Sequence, residues 1–143
     1  MNKVIHSKPT IYVVDDDSDD RALLMGAFQQ ITDEHDLKIF SNGKSLIEVL
    51  AGIPDEDLPC LIVLDYNMPG LNGKEVLNYL QNDSRFRTIP KIIYTTSDSR
   101  SDKAEFLSLG VSEFITKASS FQGILNSAKI MLSHCDHKVR QIV

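Results

Sequence analysis

Two hydrophobic rhythms alternate along the chain. Short apolar runs stand at TIYVV (10–14), LKIF (37–40), CLIVL (60–64), KIIYTT (91–96) and EFIT (113–116). Runs of this length without polar alternation predict strands covered on both faces. Between them, apolar residues recur at helical spacing. From Asp19 to Ile31 the shared face is Leu24, Ala27, Phe28 and Ile31, and further helices are predicted over 44–52, 72–83, 101–110 and 119–133. Val76, Leu77 and Leu80 point inward in the third, and Phe121, Ile124, Leu125, Ala128 and Met131 or Leu132 in the fifth. Asn72 reads as an N-cap, Gly70 and Gly73 as turn and helix-start residues, and Gly52 and Gly110 as helix-closing glycines.

Five strands alternating with five helices predict βαβ units with right-handed crossovers, hence an α/β fold with a parallel sheet between two helical layers. In such folds ligands gather beyond the carboxyl ends of the strands. Six residues stand there. Asp15 and Asp16 follow the first strand in YVVDDDSDD, and Asp65 follows the third in LIVLDYNMPGLNG. Thr95 and Thr96 end the fourth, and Lys117 follows the fifth. Carboxylates this close resist joint ionisation unless a cation compensates. Their oxygens suit a hard divalent ion such as Mg²⁺, which keeps room for phosphate oxygens. A carboxylate nucleophile, a divalent ion, a lysine and a hydroxyl make a phosphoryl-transfer site.

These motifs, in this order, resemble the receiver domain of two-component response regulators over roughly residues 9–133. The resemblance implies a flavodoxin-like, doubly wound sheet of order 2-1-3-4-5 with five helices. It implies that Asp65 takes a phosphoryl group from a histidine of a sensor kinase or histidine phosphotransfer protein. Asp16 and Asp65 are then expected to hold Mg²⁺ with the main-chain carbonyl of Asn67, Asp15 helping through water. Thr95 and Lys117 are expected to bond the phosphoryl oxygens, and Phe114, three residues before Lys117, to move as Thr95 moves. Output is expected through the 101–110 helix, the fifth strand and the 119–133 helix, toward a protein target, with a homodimer on phosphorylation as one form of it. LIVLDYNMPG with IPKIIYTTSD looks like the small receivers that pair with phytochrome-type kinases. Ala118 replaces the proline that the family usually has after its lysine, so a cis bond before it would cost about 2.5–4 kcal/mol, against about 0.5–1 before proline. Thr96 is expected to slow autodephosphorylation.

Composition narrows the alternatives. At 143 residues the chain is expected to be one stand-alone domain with a polar tail at 134–143. A net charge of −5 argues against a nucleic-acid surface. No apolar run is long enough to span a bilayer and no signal-peptide core is present, so a cytoplasmic address is the expectation. Cys60 is expected to be buried, with Cys135 in the tail and both thiols free. The His134, Cys135 and His137 cluster reads as a solvated helix end. The aspartate run divides: Asp15 and Asp16 for chemistry, Asp17 or Ser18 as helix cap, Asp19 and Asp20 for the helix dipole. An EF-hand loop begun at Asp15 would place Asp20 and Gly26 where Gly and Glu are required. A haloacid-dehalogenase reading fails at Asp19, where threonine or valine is needed. The enzyme alternative is a small Mg²⁺-dependent acyl-phosphate phosphatase with Asp65 as nucleophile; a receiver is instead a signalling phosphoacceptor with slow intrinsic hydrolysis.

Overall fold

The computed structural model describes residues 8–96 and 103–142. Strands β1 (Thr10–Val14), β2 (Asp36–Phe40), β3 (Leu61–Leu64), β4 (Lys91–Thr95) and β5 (Glu113–Thr116) form one parallel sheet of order β2-β1-β3-β4-β5. The helices are α1 (Ser18–Ile31), α2 (Gly43–Gly52), α3 (Gly73–Gln81), α4 (Ser84–Arg87), α5 (Lys103–Ser108) and α6 (Phe121–Ile142). This is the flavodoxin-like fold expected from the sequence.

Strand periodicity sorts the core into two layers, because successive side chains point to opposite faces. Tyr12, Val14, Ile62, Leu64 and Ile93 meet Leu46 and Leu50 of α2, Val76, Leu77 and Leu80 of α3, Phe86 of α4 and Phe106 of α5. Ile11, Val13, Leu61, Val63, Ile92 and Tyr94 meet Leu24, Ala27 and Phe28 of α1 and Ile124, Ala128, Met131 and Cys135 of α6. Both faces are therefore covered, which is why β1, β3 and β4 read as unbroken apolar runs.

Several expectations need correction. The predicted 72–83 helix ends at Gln81, and a sixth helix, α4, follows, because the Asp83 side chain accepts the Arg85 N–H at 2.9 Å and Phe86 drops into the core. Residues 101 and 102 of the predicted fourth helix lie outside the described residues, and the helix ends at Ser108, before Gly110 at φ +81°. There is no polar tail detached at 134: α6 continues to Ile142, and His134 Nε2 lies 2.8 Å from Glu113 Oε1 of β5. Cys60 and Cys135 are not free thiols. They form a disulfide between the residue before β3 and α6, with Cα atoms 5.0 Å apart. Cys135 continues the buried Ile124–Ala128–Met131 stripe, which brings it over the start of β3. Phe121, expected inward, is exposed at the start of α6.

Candidate functional site

The site lies at the carboxyl edge of the sheet. Asp15 and Asp65 leave adjacent strands side by side: the Asp65 N–H donates to the Val14 carbonyl at 2.9 Å, and the Asp15 N–H to the Phe40 carbonyl at 3.1 Å. Each backbone is thus held in the sheet while its side chain leaves it. Both carboxylates are buried, whereas Asp16 is exposed. Oxygens of Asp15, Asp16 and Asp65 all lie within 4.8 Å of one another.

Asp17 is the N-cap of α1, its side chain accepting the N–H groups of Asp19 and Asp20 at 2.9 and 3.0 Å. Those bonds hold the exposed Asp17 carboxyl below its ordinary value. The Arg21 guanidinium donates from Nη1 to the Asp15 carbonyl at 2.7 Å, tying the first turn of α1 to the end of β1.

Lys117 reaches into the same space. Its N–H donates to the Thr95 carbonyl at 2.9 Å, and its ammonium lies 2.7 Å from Asp15 Oδ2, 2.7 Å from Asp20 Oδ2 and 3.2 Å from Asp65 Oδ2. Asp20 is the contact that the sequence does not reveal, since a place in the first helical turn accounts for it by the dipole alone. Thr95 is buried at the end of β4, and its Oγ1 accepts a long 3.4 Å bond from Asn67 Nδ2. The Asn67 N–H donates to Asp65 Oδ1 at 3.1 Å. Thr96 is exposed just beyond the strand. The Lys117–Ala118 bond is trans.

Burial pushes the Asp15 carboxyl up to about 6, a rise that Lys117 and the Asp17 N–H moderate and the Asp65 charge reinforces. For Lys117 burial alone would lower the ammonium, but hydrogen bonds to Asp15 and Asp20 and the charge of Asp65 hold it above its ordinary value. Among the described residues the site is thus acidic in excess, with one ammonium among the carboxylates of Asp15, Asp16, Asp20 and Asp65. Oxygens around an octahedral Mg²⁺ with bonds of about 2.1 Å lie about 3–4 Å apart. The oxygens of Asp15, Asp16 and Asp65, within 4.8 Å of one another, are grouped near that spacing, and their surplus charge is what a divalent cation offsets.

The loop carrying Asp65 is pinned by Gly73. Its N–H donates to the Tyr66 carbonyl at 3.0 Å, and a Cβ there would lie 2.7 Å from Tyr66 Cα. Asn72 and Glu75 close a capping box beside it. Gly73→Ala is expected to lower stability by about 1–3 kcal/mol, the usual cost of overpacking against an unyielding backbone. A denaturant midpoint equal to that of the wild type would contradict this close approach.

Residues 11–129 match the response regulator receiver domain family. The chain belongs to that family. This receiver domain is 28% identical over 116 residues to the probable methanogenesis regulatory protein FilR2 of Methanothrix harundinacea, covering 80% of this chain and 75% of that protein. It is 27% identical over 117 residues to response regulator Rcp1 of Synechocystis, covering 80% of each. The crystal structure of the Mn²⁺-bound form of Rcp1 superposes with a TM-score of 0.77 at 26% identity, over 87% of this chain and 92% of that one. The structure of the phosphorylated cyanobacterial phytochrome response regulator RcpA gives a TM-score of 0.77 at 27% identity, over 89% and 96%. Other curated relatives are longer, and the matched segment spans as little as 13% of their length. Among the described residues no helix is long and apolar enough to cross a membrane.

Proposed function

We propose that Asp65 is the phosphoacceptor of this receiver domain and that its phosphodonor is a phosphohistidine of a kinase or phosphotransfer protein. The observation that carries the reading is the convergence of Asp15, Asp16, Asp65, Thr95 and Lys117 on one sheet edge. In the transfer an Asp65 oxygen forms the new bond to phosphorus while the phosphorus–nitrogen bond breaks, leaving the electron pair on the histidine. Lys117, already 3.2 Å from Asp65 Oδ2, offsets charge on the phosphoryl oxygens, and the Thr95 hydroxyl, which accepts the long bond from Asn67, donates its own hydrogen to one of them. Asp15, Asp16 and Asp65, with the main-chain carbonyl of Asn67, would hold Mg²⁺, which supplies further charge neutralisation when bound. Support for a divalent cation comes from the Mn²⁺-bound form of the similar Rcp1. Support for a phytochrome-type kinase as donor comes from the likeness to RcpA.

The output reading is a packing change. Phe114 is half-buried and stacks on Phe106 with centroids 5.3 Å apart, and Phe106 meets the Tyr66 ring edge-on at 4.6 Å. Tyr66 adjoins Asp65, so movement of that loop is felt at β5. A surface groove of about 280 Å³ lined by Phe106, Leu107, Val111 and Phe114 would then be remodelled for a protein partner.

The test is incubation with acetyl phosphate, with and without Mg²⁺, followed by intact-mass measurement. Uptake of one phosphoryl group that requires Mg²⁺ and then decays slowly is expected; uptake indifferent to Mg²⁺ would refute the reading. A pH dependence accompanies it. Asp15 ionises near 6 instead of near 3.8, so in the cation-free protein it is mostly protonated at pH 5. Protons then compete with Mg²⁺, and affinity is expected to fall by about tenfold per pH unit below 6. Calorimetric titration at pH 7 and pH 5 measures it; equal affinities would contradict the assignment of Asp15.

A further inference from the structure

An ammonium has three hydrogens to donate, and Lys117 faces three carboxylates. In a receiver phosphorylated on Asp65, two of them have other work. Asp15 serves the cation and Asp65 receives the phosphoryl group. Asp20 stands outside the Asp15–Asp16–Asp65 group and has neither task. Resting on that receiver function, we propose that Asp20 is a positioning residue for Lys117, the anchor that keeps the ammonium at the pocket when its other two partners are claimed.

The geometry suits an anchor. Lys117 lies 97 residues from Asp20, yet the contact is 2.7 Å, as short as that to Asp15 and shorter than the 3.2 Å to Asp65. Asp20 does not reach Lys117 from a loose surface loop. Its N–H is bound by the Asp17 cap at 3.0 Å, and the next residue, Arg21, clasps the Asp15 carbonyl at 2.7 Å. The first turn of α1 is thereby fixed to β1 at the residue that Lys117 also touches. The Lys117 side chain is 7% exposed and that of Asp20 is 32% exposed, so Asp20 holds the ammonium from the solvent side of the pocket. The Tyr94 ring lies 5.8 Å from Nζ, a weaker second contact. A lysine stem has four rotatable bonds and much rotamer entropy to lose. Without Asp20, the ammonium would have to be ordered anew around each incoming phosphoryl group.

The experiment uses the full chain as wild type, Asp20→Asn, Lys117→Ala and the double variant. Two quantities are read: the rate of phosphoryl uptake from acetyl phosphate with Mg²⁺, and the NMR signal of the Lys117 ammonium. Asp20→Asn is expected to slow uptake by about fivefold, the weight of one partly exposed ion pair. In the Lys117→Ala background the same substitution is expected to change nothing. The Lys117 signal is expected to shift on Asp20→Asn in the cation-free protein, and with Mg²⁺ and beryllofluoride to persist in wild type but broaden away in Asp20→Asn. Unchanged uptake with an unchanged signal would overturn the proposal. So would faster uptake, which would make Asp20 a competitor for the lysine, or an equal loss without Lys117. If wild type takes up no phosphoryl group, the receiver function itself fails, and the signal in the cation-free protein still judges whether Asp20 holds Lys117.

Discussion

Asp65→Asn is expected to abolish phosphoryl uptake, a loss of about a thousandfold or more, while the protein stays folded. Removal of a sole nucleophile has effects of at least that size, and among the described residues no neighbouring group repeats its geometry. Asp15 is as buried as Asp65, but its Oδ1 accepts the Asp17 N–H at 2.9 Å and its Oδ2 lies against Lys117. Asp16 is exposed and faces the same cluster from solvent. Stability is expected to hold, because the amide removes one of several crowded negative charges while Lys117 keeps both of its 2.7 Å contacts. Intact mass after acetyl phosphate treatment reads the first effect and a denaturation curve the second. Phosphorylation persisting in Asp65→Asn would move the nucleophile elsewhere.

Loss of the Cys60–Cys135 disulfide is expected to be the largest single stability change. The bond joins positions 75 residues apart, and cross-linking a loop of that size restricts the unfolded chain by about 4 kcal/mol. For a domain of this length that is a fall of about 10 °C in Tm. Thermal melts of wild type with and without reductant, and of Cys60→Ser/Cys135→Ser, measure it. Equal midpoints in all three would show that the bond contributes nothing. Phosphoryl uptake by the reduced protein below its Tm is expected to be unchanged, because Cys60 precedes β3 and Asp65 follows it, at the opposite edge of the sheet. Disulfides are rare where cellular thiols stay reduced. Non-reducing mass measurement of protein taken directly from cells would show which form is present there.

The sheet and its acidic edge are legible in the sequence because their signals are local. An apolar run of four or five residues marks a strand, and the residue after it is at the carboxyl edge by construction. Asp15, Asp65, Thr95 and Lys117 can therefore be placed together before any coordinates. Pairings across elements are harder. That Cys135 faces Cys60 depends on how far α6 runs, and a compositional argument from reducing compartments favours free thiols. The helical spacing Ile124, Ala128, Met131, Cys135 is a usable signal. Asp20 reads as a dipole residue because the first turn of a helix accommodates an acid for that reason alone. Its second contact depends on the turn being fixed by Asp17 and Arg21, which no periodicity encodes. The break before α4 is signalled by Asp83–Ser84, a cap that the longer apolar spacing of α3 masks.

The strand order has a temporal consequence. β1 and β3 lie together at the middle of the sheet, but β5, whose end leads into Lys117, comes last in chain order among the described strands. While the chain is being synthesised, Asp15, Asp16 and Asp65 emerge well before the only ammonium that reaches them among the described residues. The crowded carboxylates must wait for a counter-charge from the far end of the polypeptide. The full set of contacts at the site is thus assembled late, because Lys117 meets Asp15 and Asp65 only once β5 has docked beside β4.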